Sequence, residues 1–253
     1  MAPRPLGNTG LHVSRIGLGT VKLGRNTAVK YPRPFDLPSD AQVAALLAGA
    51  LDLGVTLLDT APAYGSSESR LAPFLALNRP LVVLSTKFGE TFENGVSRHD
   101  FSSPALRASL DASLLRLGVP SVDLLLLHSD GKDLDRLAEG GMEALLAAKA
   151  SGKARAIGIS AKTPDGIRRA LQGLDVVMAP LSRQAPALAA PLREAHEAGL
   201  GVIAIKVLDS GNAVEAPAAI RWVLDQGFVD SAVIGTLSLE HLAQAVRAAG
   251  GAA

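Results

Sequence analysis

Short, almost unbroken apolar runs recur along this chain, separated by longer stretches whose apolar residues return every three or four positions. The short runs fall at 15–19, 56–60, 81–87, 122–128, 154–160, 176–179, 201–206 and 231–235. Their near-continuous hydrophobicity predicts parallel strands buried on both faces. The longer stretches carry helix signals. DAQVAALLAGALDLG halts at Gly54, and SPALRASLDASLLRLG opens on Ser-Pro and ends at Gly118. MEALLAAKASGK, PDGIRRALQGL, APLREAHEAGL, APAAIRWVLDQG and LSLEHLAQAVRAAG continue the pattern.

Eight strands alternating with eight helices predict a (β/α)8 TIM barrel, one domain over 1–253 with no Ser- or Gly-rich linker between halves. The competing fold, an open doubly wound sheet, wants a glycine fingerprint that runs from its first strand into a helix. Here Gly17 and Gly19 lead into a long proline-containing loop, which fits a barrel mouth better. Residues 6–13 alternate around Asn8-Thr9-Gly10, a hairpin signal that would plug the barrel floor. The loops at 20–39 and 89–103 exceed ordinary connections, so they are expected to bind or cover something. Both follow strands and therefore sit on the C-terminal face, where barrel active sites lie.

Composition narrows the function. Lys+Arg 25 against Asp+Glu 24 gives a formal net charge of +1, with no electrostatic reason to expect nucleic acid or an acidic membrane surface. Cysteine is absent, which removes disulfides, thiol nucleophiles and thiolate metal sites. The N-terminus has no signal-peptide core, and no apolar stretch approaches membrane-span length, so a cytoplasmic location is expected. His12, His99, His196 and His241 are scattered without metal-ligand spacing, and no metal is expected. Nothing in the pattern sets the oligomeric state.

Four ionisable residues stand where three consecutive strands end: Asp59 and Tyr64 in LLDTAPAYG, Lys87 in VVLSTKFG and His128 in VDLLLLHSD. Singly, each has a structural reading as a turn former, a solvated strand end, a core histidine or a barrel cap. Jointly they are complementary. A phenol ionises near pH ~10 and donates its proton more readily beside an ammonium. A carboxylate holds the ammonium, and an imidazole can hydrogen-bond the oxygen being reduced.

LGNTGLHVSRIGLGT, GVTLLDTAPAYGSSES, STKFGE, SLDASLLRLGVPSVDLLLLHSD, GKARAIGIS and VIGTLSLEHL resemble, in order, the motifs of the aldo-keto reductases. The resemblance implies an NAD(P)H-dependent barrel enzyme that reduces a small aldehyde or ketone to an alcohol, or runs the reverse. It implies Tyr64 as general acid, Lys87 as the group lowering its pKa, Asp59 as the partner of Lys87, and His128 as the residue orienting the carbonyl.

The cofactor end departs from the family. Gly19 and Thr20 keep its first loop, but Val21 and Lys22 replace the Trp that usually follows. Ser160 keeps its place, whereas Ala161 stands where an Asn binds the carboxamide and Met178 where a Gln joins it. Ile205 and Lys206 fall where an aromatic shelf supports the nicotinamide. Gly235, Thr236 and Ser238 keep the phosphate-binding turn, with His241 where a residue grips the adenosine phosphate and Ala245 where an Asn is expected. These residues point to NADPH, with NADH as the alternative. Val21, Lys22, Phe88 and Phe92 are the expected substrate contacts, with Phe35 and Phe101 as further pocket walls. A non-enzymatic nicotinamide-nucleotide sensor on the same barrel is the competing function, and the intact proton-transfer set argues against it.

Overall fold

Successive side chains of a strand point to opposite faces, so each apolar run must supply two cores at once. In the computed structural model, which describes residues 2–251, this is what the runs do. Leu57, Val83, Leu124, Leu126, Val176, Met178, Ile203 and Val233 fill one buried cluster, and their neighbours Leu58, Leu84, Leu125, Leu127, Val177, Ala204 and Ile234 fill another. The first is the barrel interior and the second is the layer beneath the helices.

The strands are β1 (Ile16–Gly19), β2 (Leu57–Asp59), β3 (Val83–Phe88), β4 (Val122–His128), β5 (Ala154–Ser160), β6 (Val176–Pro180), β7 (Gly201–Ile205) and β8 (Ser231–Ile234). They close in sequence order, each parallel to its neighbours, with β8 paired to β1. A helix follows every strand: α1 (Asp40–Asp52), α2 (Ser67–Asn78), α3 (Ser103–Leu117), α4 (Met142–Ala150), α5 (Pro164–Ala170), α6 (Ala189–Glu197), α7 (Ala216–Leu224) and α8 (Leu239–Ala248). The fold is a (β/α)8 barrel.

The ends of these helices follow local chemistry. Ser39 and Gln42 form a reciprocal capping box at α1, and Gly118 ends α3 in the left-handed conformation at φ 66°. At the floor, Arg4–Pro5 pairs with His12–Val13, and Leu6, Leu11 and Val13 join the interior cluster as the plug.

The two long loops carry structure of their own. The first begins with a helical turn, Val21–Gly24. The second, expected as a long binding or covering loop, contains an antiparallel hairpin, Glu90–Glu93 with Val96–His99. Its turn contains Asn94 and Gly95, both at positive φ, so the Asn-Gly pair in FENGVS was a hairpin signal. Among the described residues, no helix is long and apolar enough to cross a membrane.

Candidate active site

Strand parity assembles the site. Residues 57 and 59, 83, 85 and 87, and 124, 126 and 128 share the inward face of their strands, so Asp59, Lys87 and His128 turn into the barrel mouth. Tyr64 arrives on a single 310 turn, Pro62–Tyr64, just beyond β2. That turn is held by close backbone approach: a Cβ on Gly24 would lie 2.5 Å from the Tyr64 carbonyl oxygen, and one on Gly65, at φ +61°, would lie 2.3 Å from the Gly24 carbonyl oxygen. Only glycine fits both positions.

The Lys87 ammonium is 1% exposed and lies at the centre. It donates to both Asp59 carboxylate oxygens at 2.7 Å, to the Thr60 carbonyl at 3.0 Å and to the Tyr64 hydroxyl at 3.2 Å. Ser85 Oγ adds a hydrogen bond to Asp59 at 3.0 Å. The His128 ring stands edge-on to Tyr64 with centroids 6.2 Å apart.

The electrostatics follow from burial. Burial pushes the Lys87 ammonium down, but Asp59 and Tyr64 together, by charge and hydrogen bond, raise its pKa overall, so the ammonium stays charged. Burial pushes the Tyr64 phenol upward; Lys87 pulls it down by charge and hydrogen bond, while Asp59 and Glu90 add to the rise. The expected lowering by Lys87 is therefore present but outweighed in the free protein. His128 is pushed well below its ordinary range by burial first, and then by Lys87, Lys162, His99 and Arg25.

A cavity of about 340 Å³ opens over these groups. Asp59, Tyr64 and His128 line it, together with Gly19, Val21, Lys22, Ile205, Lys206 and Gly235 from the predicted set. Lys206 holds a positive φ of 55°, a strained conformation for a lysine at the mouth. Lys30 and Tyr31 from the first loop, and Leu208, Ser210 and Gly211 after β7, complete the rim.

Other predicted contacts lie elsewhere. Phe88 follows Lys87 by one residue, so strand alternation turns it outward into the layer beneath the helices, where it is fully buried. Phe101 joins that layer. Phe92 lies in the hairpin under the Arg25 guanidinium, 3.6 Å from its ring centre, and does not line the cavity. Phe35 packs edge-on against Tyr31. Thr20 is buried and donates to the Asp59 carbonyl, so it braces β1 against β2. Met178 is fully buried among the interior side chains below the mouth. Ser160 pairs with His128 across the β4–β5 register but does not line the cavity. Thr236 Oγ accepts from the Ser238 amide, and Ser238 Oγ accepts from the His241 amide as the α8 cap. His241 is exposed.

Arg25, Tyr31 and Glu90 were assigned no role from the sequence. Tyr31, the second of the chain's two tyrosines, lies under Lys22 Nζ at 4.3 Å from its ring centre, and burial pushes its phenol up to about 12. The length of the first loop was the only available signal for it.

Comparison with known proteins agrees with this geometry. Residues 15–218 match the aldo/keto reductase family. The chain belongs to that family. A D-threo-aldose 1-dehydrogenase from Pseudomonas sp. is 31% identical over 231 residues, covering 80% of this chain and 68% of its own length. An L-galactose dehydrogenase from Arabidopsis thaliana is 36% identical over 163 residues, covering 62% of this chain and 47% of its own. A solved structure from Pseudomonas aeruginosa, assigned as an aldo-keto reductase, superposes with TM-score 0.89 at 41% identity, covering 98% of this chain and 93% of the other. Membership of the aldo/keto reductase family makes this chain an oxidoreductase of carbonyls and alcohols, and family members use nicotinamide cofactors.

The mouth suits such a cofactor in this aldo-keto reductase. Gly19 and Gly235 leave an open cradle in which a Cβ on Gly235 would come within 3.0 Å of the Tyr31 hydroxyl. The rim supplies Lys22, Lys30 and Lys206, and an aliphatic wall of Ile205, Val207, Leu208 and Val233. Cations and apolar surface lining one cavity suit a molecule that carries both phosphates and a flat ring. Among the described residues, no cluster of three His, Cys, Asp or Glu could hold a metal.

Proposed function

We propose that this protein interconverts a small aldehyde or ketone and its alcohol using NADPH, with Tyr64 as the proton donor for reduction. The observation that carries the reading is the hydrogen-bonded chain Asp59–Lys87–Tyr64, whose last member lines the cavity beside His128. The nicotinamide, when bound, supplies the hydride. Tyr64 supplies the proton to the developing alkoxide, and Lys87 stabilises the phenolate left behind. Asp59 keeps the ammonium charged and aimed. In the reverse direction the phenolate takes the alcohol proton.

Gly19, Ile205, Lys206 and Gly235 would hold the cofactor, with Lys22 at the rim. The cationic rim and the α8 N-terminus favour the extra phosphate of NADPH. The chain spans less than half the length of its L-galactose dehydrogenase relative, so sugars are candidate substrates by likeness alone. The test is a panel of L-galactose, other aldoses, pyridoxal and simple aldehydes and alcohols, with both cofactors in both directions, followed by nicotinamide absorbance. Turnover with at least one pair is expected, faster with the phosphorylated cofactor. Turnover unchanged in Tyr64→Phe would sink the assignment of the proton donor.

A further inference from the structure

Hydride passes only between atoms in contact, so a nicotinamide must lie against the carbonyl held at Tyr64 and His128. Topology says what stands behind it. Tyr64, Lys87 and His128 follow or end β2, β3 and β4. In a closed ring of eight strands β7 is the fourth from β3 in either direction, so it stands directly across the mouth. Ile205 at the end of β7, with Lys206 and Val207 after it, lines the same cavity from that side. A ring placed for hydride transfer therefore has the reacting groups before one face and the end of β7 behind the other.

Ile205 and Val207 make that wall aliphatic, and Lys206 adds an ammonium to it. The lysine sits at φ 55°, in a turn closed by the Asp209 amide, which donates to the Lys206 carbonyl at 2.8 Å. Among the described residues no carboxylate forms an ion pair with it. The two carboxylates lining the cavity are engaged elsewhere, Asp59 by Lys87 and Glu90 by Arg25. Burial first, and then Lys30 and Lys162, lower the Lys206 pKa, so the charges that reach it have its own sign. The Lys87 ammonium on the reacting side is balanced by Asp59; the charge at the end of β7 is balanced by nothing in the protein.

We infer that Lys206 makes this cavity discriminate by the charge of the nicotinamide, holding the neutral reduced ring more tightly than the cationic oxidised one. The inference rests on the cavity being the nicotinamide site. Reduced and oxidised cofactor carry the same phosphates, so whatever the lysines do for phosphate is common to both and cancels. The unit charge of the oxidised ring remains. An aromatic wall would attract that charge, whereas an ammonium repels it. Even well screened, one such repulsion across a cavity corresponds to about tenfold in affinity. Linkage sets the consequence: the site loads reduced cofactor from a mixed pool and lets the oxidised product leave. The same tenfold draws the equilibrium on the protein toward carbonyl and reduced cofactor. Carbonyl reduction is thus carried forward by release of oxidised cofactor, and alcohol oxidation is held back by its own reduced product.

Calorimetric titration of the free protein with NADPH and with NADP+, at neutral pH and low salt, reads this discrimination without turnover. The wild type should bind NADPH about tenfold more tightly than NADP+. Lys206→Met should lower that ratio at least about threefold, and Lys206→Arg, which keeps the charge, should preserve it. The NADH and NAD+ pair should show the same dependence on Lys206, because the phosphate it lacks is absent from both forms. Equal wild-type affinities for the two oxidation states would overturn the inference and leave the cavity standing as the cofactor site. A ratio unchanged in Lys206→Met, with both forms weakened alike, would confine Lys206 to the phosphates and refute its action on the ring. Binding of neither form would overturn this inference and the cofactor reading together. None of these outcomes depends on Tyr64 as proton donor, so that assignment fails or holds separately.

Discussion

Removing the ammonium of Lys87 should cost stability and activity by separable routes, and the structure says how to separate them. Lys87→Met takes away the donor that satisfies both Asp59 oxygens, leaving Ser85 Oγ as the side-chain donor to a carboxylate that is 2% exposed. Breaking a buried ion pair from one side typically costs about 3–5 kcal/mol, because a charge remains without compensation. For a chain of this size each kcal/mol moves Tm by about 2–4 °C, so Lys87→Met should melt roughly 6–20 °C below the wild type. Adding Asp59→Leu removes the stranded charge and should recover most of that loss, since a buried pair replaced by apolar groups is often neutral or better. Activity should not return. Without Lys87 the phenol loses the one group that opposes its upward shift, so kcat should fall by at least about 10²-fold in both variants. In the alcohol-oxidation direction the limb of the kcat–pH profile that rises with pH should move upward, because the phenolate forms at higher pH. The assays are thermal or urea unfolding of the free protein and kcat against pH. A double variant no more stable than Lys87→Met would refute the stranded-charge argument, and an unmoved pH limb would refute the coupling of Lys87 to Tyr64.

Tyr64→Phe keeps the ring and removes the proton, so kcat should drop by at least about 10²-fold with cofactor affinity unchanged by calorimetry. Gly235→Ala places a methyl 3.0 Å from the Tyr31 hydroxyl in the open cradle, and overpacking of this kind should weaken NADPH binding at least about fivefold in the same titration. NADPH should bind more tightly than NADH, and the margin should narrow as salt is raised, because Lys22, Lys30 and Lys206 act through charge. Equal affinities at low salt would remove the cationic rim from the account.

The barrel and the meeting of Asp59, Tyr64, Lys87 and His128 were legible because each rests on a short-range rule. Apolar runs alternating with amphipathic stretches leave little choice but strands inside and helices outside, and three ionisable residues closing consecutive runs must meet at one rim. The same rule could have been pressed further. Phe88 adjoins Lys87, so if Lys87 points inward Phe88 cannot, and its loss as a pocket wall follows from parity alone. The cofactor side was harder because resemblance located positions but not side-chain directions: Met178 occupies the matching strand yet packs among interior apolar residues.

Glu90, Arg25 and Tyr31 escaped for a different reason. They sit in long loops whose course is set by contacts far apart in sequence: Arg25 reaches Ala63 and Ser97, and Glu90 reaches His128. No periodicity encodes such meetings. What the sequence did carry was the Asn94-Gly95 turn, which makes 90–99 a hairpin and so fixes which residues its strands pair. Pairing places Ser97 opposite Phe92 and brings its hydroxyl to one Glu90 oxygen, while the other oxygen lies between the imidazoles of His128 and His99. A two-residue turn thus brings Glu90 and His99 to the ring of His128. The strand ends bring Asp59, Lys87 and His128 to one rim, and the loop hairpin sets Glu90 beside the imidazole.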